Sequence, residues 1–140
     1  MTAPSTPEVK AIVAEAAFAR LDWLSYEYYR IPILHYALEE LTRWWAYLFF
    51  GYDINSISPL LLAEQIHVPV MLIHSEQDNL IAFKHALSLQ KALQHNPHLE
   101  VVFTQGTLHG QPIKDYQHIV RTFFDKYLYH VFPTKLRVKG

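Results

Sequence analysis

At 140 residues the chain has the length of one domain, and a hydrophobic content of 51% is ample for a buried core. A formal net charge of −1 supplies no field that would favour nucleic acid or an anionic membrane, so no nucleic-acid partner is expected. The absence of cysteine excludes disulfide scaffolds, thiol catalysis and cysteine-ligated zinc, and is compatible with a cytoplasmic protein.

The opening residues, Met1 to Glu8, have neither the positive region nor the apolar run of a secretory signal and read as a polar lead-in. Val9 to Ala14 is rich in β-branched residues and predicts a short buried strand. From Asp22 to Phe50 the pattern is helical and strongly aromatic, with a break near Pro32 because proline disfavours helix at the preceding residue. Within Ile33 to Phe50, the residues Leu34, Leu38, Leu41, Trp45, Leu48 and Phe49 recur at steps of three or four, opposite Glu39, Glu40 and Arg43. That spacing predicts an amphipathic helix, and Gly51 stands where a helix-terminating glycine belongs. The run Trp44 to Phe50 is far short of the roughly 20 apolar residues that cross a bilayer.

Asp53 to Pro59 reads as a loop in which Ser58 caps, and Pro59 opens, a short helix reaching Glu64 or Gln65. Val68 to His74 is a continuous apolar run, as expected of a strand covered on both faces. Ala82 to Gln94 is helical by pattern and is stopped at His95-Asn96-Pro97. Leu99 to Thr104 is a third strand, and Ile113 to Val131 a closing helix. Alternating strands and helices imply βαβ units, hence a parallel sheet between helices. With no repeat, linker or low-complexity tract, residues 1–140 are expected to form a single domain.

In such a sheet, functional groups gather beyond the carboxyl ends of the strands. Asp78 follows the second strand and His109 the third, and Gly106 and Gly110 bracket the histidine as in a tight loop. A carboxylate and an imidazole in that order are the second half of a nucleophile–acid–histidine triad, in which the acid fixes the imidazole tautomer and stabilises its protonated form. A turn aspartate and a loop histidine with no joint role is the plain alternative. The triad nucleophile normally sits on a Gly-x-Ser-x-Gly turn, and none of Ser5, Ser25, Ser56, Ser58, Ser75 or Ser88 lies in that pattern. Nine histidines raise the possibility of a metal, but Asn96-Pro97 breaks helical spacing between His95 and His98 and no third ligand is obvious. They read as solvated loop histidines, and His74 as a hydrogen-bonded structural residue. No metal or cofactor is expected.

Several short segments together carry a family resemblance: Val9-Lys10-Ala11-Ile12-Val13, Ile57-Ser58-Pro59, Pro69 to His74 with Glu76-Gln77-Asp78, and Gly106-Thr107-Leu108-His109-Gly110. From Val9 to about Leu128 the chain resembles the C-terminal part of an α/β-hydrolase, of the prolyl-oligopeptidase-like and serine-aminopeptidase-like branch. The resemblance implies a partial α/β-hydrolase fold: a parallel three-stranded sheet flanked by helices, with an aromatic helical cap inserted at about residues 22–56. It implies Asp78 as the triad acid and His109 as the triad histidine. Ser75 stands where the family commonly has glycine. The strand resembling Val9 to Ala14 directly follows the family's nucleophile strand, so the serine and the oxyanion hole are expected outside this chain.

The expectation is thus a truncated serine hydrolase of the esterase or peptidase kind, acting in complete form on a small ester or amide and inactive alone. It would self-associate or take a complementary N-terminal polypeptide. A non-catalytic module that holds a hydrophobic ligand or partner chain through the aromatic segment is the alternative; that segment also reads as a pocket lid or as a plain core helix. Its polar face lacks the lysines of a membrane-surface helix. Glu15, at the end of the first strand, is a further pocket candidate.

Overall fold

The computed structural model describes residues 8–28, 34–51, 53 and 58–128. Three strands and five helices occur among them, in the order β1 (Ile12–Glu15), α1 (Leu21–Tyr28), α2 (Leu34–Phe50), α3 (Pro59–Ala63), β2 (Val70–Ser75), α4 (Phe83–Ala92), β3 (Leu99–Thr104) and α5 (Tyr116–Leu128). The strands form one parallel sheet in the order β1-β2-β3, with Ile12 opposite Val70 and Val70 opposite Leu99.

β2 runs through the centre, and its six residues are all buried, which is why that stretch reads as continuous apolar sequence rather than an alternation. Successive side chains of a strand point to opposite faces, and the core divides accordingly. Val70 and Leu72 pack with Ala63, Leu89 and Leu93 on the side of α3 and α4. Met71 and Ile73 pack with Phe123 of α5 on the other. The result is three layers with the sheet in the middle.

Local chemistry sets several boundaries. Ser58 is extended (φ −129°) and its Oγ accepts the Leu61 N–H at 3.4 Å, with Pro59 at the start of α3, as predicted. Gly51 has φ +69° and donates its N–H to Tyr47 C=O at 3.0 Å, closing α2. The predicted break at Pro32, the polar lead-in before Pro7, most of the loop before Ser58 and the helix beyond Leu128 lie outside the described residues.

Three expectations need correction. β1 begins at Ile12, not Val9, and is half-buried rather than buried. α5 begins at Tyr116, not Ile113, because Asp115 takes φ +59°, a left-handed value that a helix interior does not hold. The apolar stripe of α2 is not core: Leu41, Trp45, Leu48 and Phe49 are each more than half exposed, as are Trp44, Tyr47 and Phe50. The two faces of the sheet are already covered by α3, α4 and α5, and α2 packs against α1. The helical period is correct, and of the readings left open for this helix the plain core helix does not hold.

Candidate active site

β2 and β3 are neighbours and end in register, Ser75 opposite Thr104, so the loops that follow them emerge side by side. The loop after β2 carries Asp78. Its Oδ1 accepts the backbone N–H of Leu80 at 2.9 Å and of Ile81 at 2.8 Å, an aspartate turn that fixes the carboxylate plane. This leaves Oδ2 for His109, whose Nδ1 lies 2.9 Å away. The far end of the loop is tied to the sheet by buried His74, whose Nε2–H donates to Ile81 C=O at 2.9 Å. His74 is thus structural, as the sequence suggested.

The carboxylate of Asp78 is only 2% exposed and the His109 ring 32%. Burial alone would raise the Asp78 pKa, but the Ile81 amide, the His109 ring and the Leu80 amide together hold the carboxyl below the ordinary aspartate value. A carboxylate that accepts from Nδ1–H leaves the lone pair of the neutral imidazole on Nε2. The His109 tautomer is therefore set by a buried anion, which makes Nε2 the acceptor nitrogen of the ring. Gly106 (φ +77°) and Gly110 (φ +74°) bracket it in the left-handed region, with nothing within 4 Å of an added Cβ at either position. Backbone handedness, not lack of space, calls for glycine there.

Side chains next to the acid also reach the histidine loop. Gln77 Oε1 accepts the Gly106 N–H at 2.6 Å and Asn79 Oδ1 the His109 N–H at 3.2 Å. The Ser75 hydroxyl donates to Thr107 C=O and accepts the Gln77 N–H at 3.2 Å. The sequence reading gave Gln77 only as part of the resemblance and Ser75 only as a departure from it, and assigned none of these contacts, since polar residues beside a turn aspartate are common. Glu15, at the rim end of β1, lies beside Tyr116, and its carboxylate raises the tyrosine pKa. It lines a cleft of about 660 Å³ with Gly110 and Gln111 of the histidine loop.

His95 and His98 sit apart in separate contacts: His95 Nδ1 with Ala92 C=O at 3.0 Å, and the His98 ring against Tyr127. No group of three metal-ligating side chains occurs among the described residues. His85, which the sequence did not single out, is fully buried on α4 and accepts the Ala19 N–H on Nδ1 at 3.0 Å. A helical histidine with no motif around it gives no sequence signal of that kind.

With this geometry in place, the comparisons with known proteins are decisive for the family. The sequence profile of the prolyl oligopeptidase family matches residues 3–132. The chain belongs to that family. No match to a curated protein is found by sequence. Among solved structures, an esterase of Pyrococcus furiosus superposes with a TM-score of 0.64 at 19% identity, over 91% of this chain and 48% of the esterase. An acylaminoacyl peptidase of Pyrococcus horikoshii gives a TM-score of 0.56 at 16% identity, over 91% and 21% of the two chains. The mouse alpha/beta hydrolase domain-containing protein 10 gives 0.58 at 20% identity, over 94% and 57%. The fold of this prolyl oligopeptidase family member is therefore an α/β-hydrolase fold, of which the chain spans about half the length of the esterase. No helix among the described residues is long and apolar enough to cross a membrane.

Proposed function

We propose that the chain carries the acid and histidine of a serine-hydrolase centre, Asp78 and His109, for hydrolysis of a small ester or amide through an acyl-enzyme. The observation that carries this reading is the 2.9 Å contact of His109 Nδ1 with an Asp78 carboxylate already fixed by two backbone amides. In the reaction, His109 Nε2 takes the proton of the nucleophile and returns it to the leaving group, while Asp78 stabilises the imidazolium between the two steps. The nucleophile serine and the oxyanion donors come from polypeptide outside the 140 residues, in a complete protein of the cytoplasm. Alone, the Asp–His pair offers at most general-base activation of water, a contribution of about 10²–10⁴-fold.

The purified chain is accordingly expected to remain unlabelled by a fluorophosphonate probe and to hydrolyse short p-nitrophenyl esters only at background, because an unactivated serine is a poor nucleophile. Reading the coding DNA upstream of Met1 for a Gly-x-Ser-x-Gly segment, and co-expressing that segment, should restore labelling that His109→Ala abolishes. Stoichiometric labelling of a serine within this chain, or hydrolysis indifferent to His109→Ala, would overturn the reading. The exposure of Trp44, Phe49 and Phe50 on α2 favours a second one, in which the chain binds a hydrophobic ligand or partner without catalysis.

A further inference from the structure

We infer that Ser75, Gln77 and Asn79 are positioning residues for His109, a three-point grip by the acid loop on the backbone of the histidine loop. The inference rests on the hydrolase reading for its purpose, though not for its geometry. The three residues alternate along the chain around Asp78, and each meets a different main-chain group: Ser75 the carbonyl of Thr107, Gln77 the N–H of Gly106 and Asn79 the N–H of His109. A loop with left-handed glycines at 106 and 110 has wide backbone freedom of its own. Three hydrogen bonds across a 29- to 32-residue separation remove that freedom at the positions just before the base and at the base itself.

The consequence for His109 is that adjacent residues hold it at two ends. Asp78 takes the ring nitrogen and Asn79 the backbone amide. A ring hydrogen bond alone would let the imidazole pivot with its loop; a fixed amide anchors Cα as well, which leaves the side-chain torsions few alternatives. Ser75 adds a constraint that glycine at this place cannot supply, since its hydroxyl donates to Thr107 C=O and accepts the Gln77 N–H at once. Gln77 and Asn79 are solvent-exposed, so neither is needed to fill the core. Their removal should loosen the site while leaving the sheet intact.

The test uses the deuterated, 15N-labelled full chain at neutral pH and reads two signals: the low-field Nδ1–H resonance of His109 and the exchange rates of the Gly106 and His109 amides. In Gln77→Ala/Asn79→Ala the resonance should broaden, and both amides should exchange roughly five- to tenfold faster, the factor for one net hydrogen bond of about 1 kcal/mol. Ser75→Gly should broaden the resonance too. β2 amides serve as the folding control and should not change. Gln77→Glu and Asn79→Asp keep an acceptor oxygen at each place and should restore both signals, which a general loss of stability would not allow. Unchanged resonance and exchange in the alanine variant overturn the inference. Absence of the low-field resonance in the parent chain, with amide protection still lost in the variant, upholds the grip and counts against the hydrolase reading instead.

Discussion

Asp78 ties the order of its loop to the charge of a single buried carboxylate. Its folded pKa lies below the ordinary value of about 3.9, so the ionised form contributes stability above that value and the contribution is lost as pH falls through it toward the folded pKa. Asp78→Asn removes the charge and turns an amide donor toward Nδ1, which drives His109 to the opposite tautomer. We expect the variant to be less stable by about 2 kcal/mol at pH 7, the scale of hydrogen bonds to a charged group, and the gap to the parent chain to narrow as pH falls below the ordinary value of about 3.9. Urea denaturation at a series of pH values reads both. At this scale the sequence was informative: a post-strand aspartate and a glycine-flanked histidine on a neighbouring strand can meet because parallel order dictates it. The contacts of Gln77 and Asn79 were not legible, since which backbone amide a loop side chain reaches depends on loop dihedrals that no periodicity encodes.

Between elements, the most informative contact is the buried join of α1 to α4. His85 Nδ1 accepts the Ala19 N–H, its Nε2 lies 3.4 Å from Glu27 Oε2, and Lys84 pairs with Glu27 Oε1 at 2.5 Å. Burial lowers the His85 pKa despite the neighbouring glutamate. A depressed histidine binds fewer protons folded than unfolded, so this join weakens as pH falls below the unfolded value of about 6.5. His85→Leu strands the fully buried Ala19 N–H and should cost about 2 kcal/mol. His85→Asn retains an acceptor near Nδ1 and should cost less, and both variants should lose the part of the acid destabilisation that begins near pH 6.5. Thermal melts from pH 5 to 8 decide this. Strands and helices themselves were largely legible, because β2 is one apolar run and α2 keeps its 3.6-residue period over 17 residues. The fate of the α2 stripe was not, since an apolar face declares that it wants burial without saying against what.

At the scale of the molecule, three surfaces are left open among the described residues. β1 and β3 each pair with β2 alone, and α2 exposes Trp44, Trp45, Tyr47, Leu48, Phe49 and Phe50. Unpaired strand edges template further pairing and broad apolar patches seek partners. The isolated chain should therefore self-associate at micromolar concentration, or remain monomeric only with a complementary polypeptide; sedimentation velocity checks it, and Trp44→Glu/Phe49→Glu should shift the distribution toward monomer. A compact monomer of the parent chain would show that these surfaces are tolerated in water. The Asp78–His109 contact is indifferent to that outcome, because every contact that fixes it, from His74 to Ile81 and from Ser75, Gln77, Asp78 and Asn79 to residues 106–109, falls between β2 and the loop after β3. Heritable exchange of that uninterrupted stretch would carry the Asp78–His109 contact whole: a recombination on either side of it separates the pair from its surroundings without separating the pair from itself.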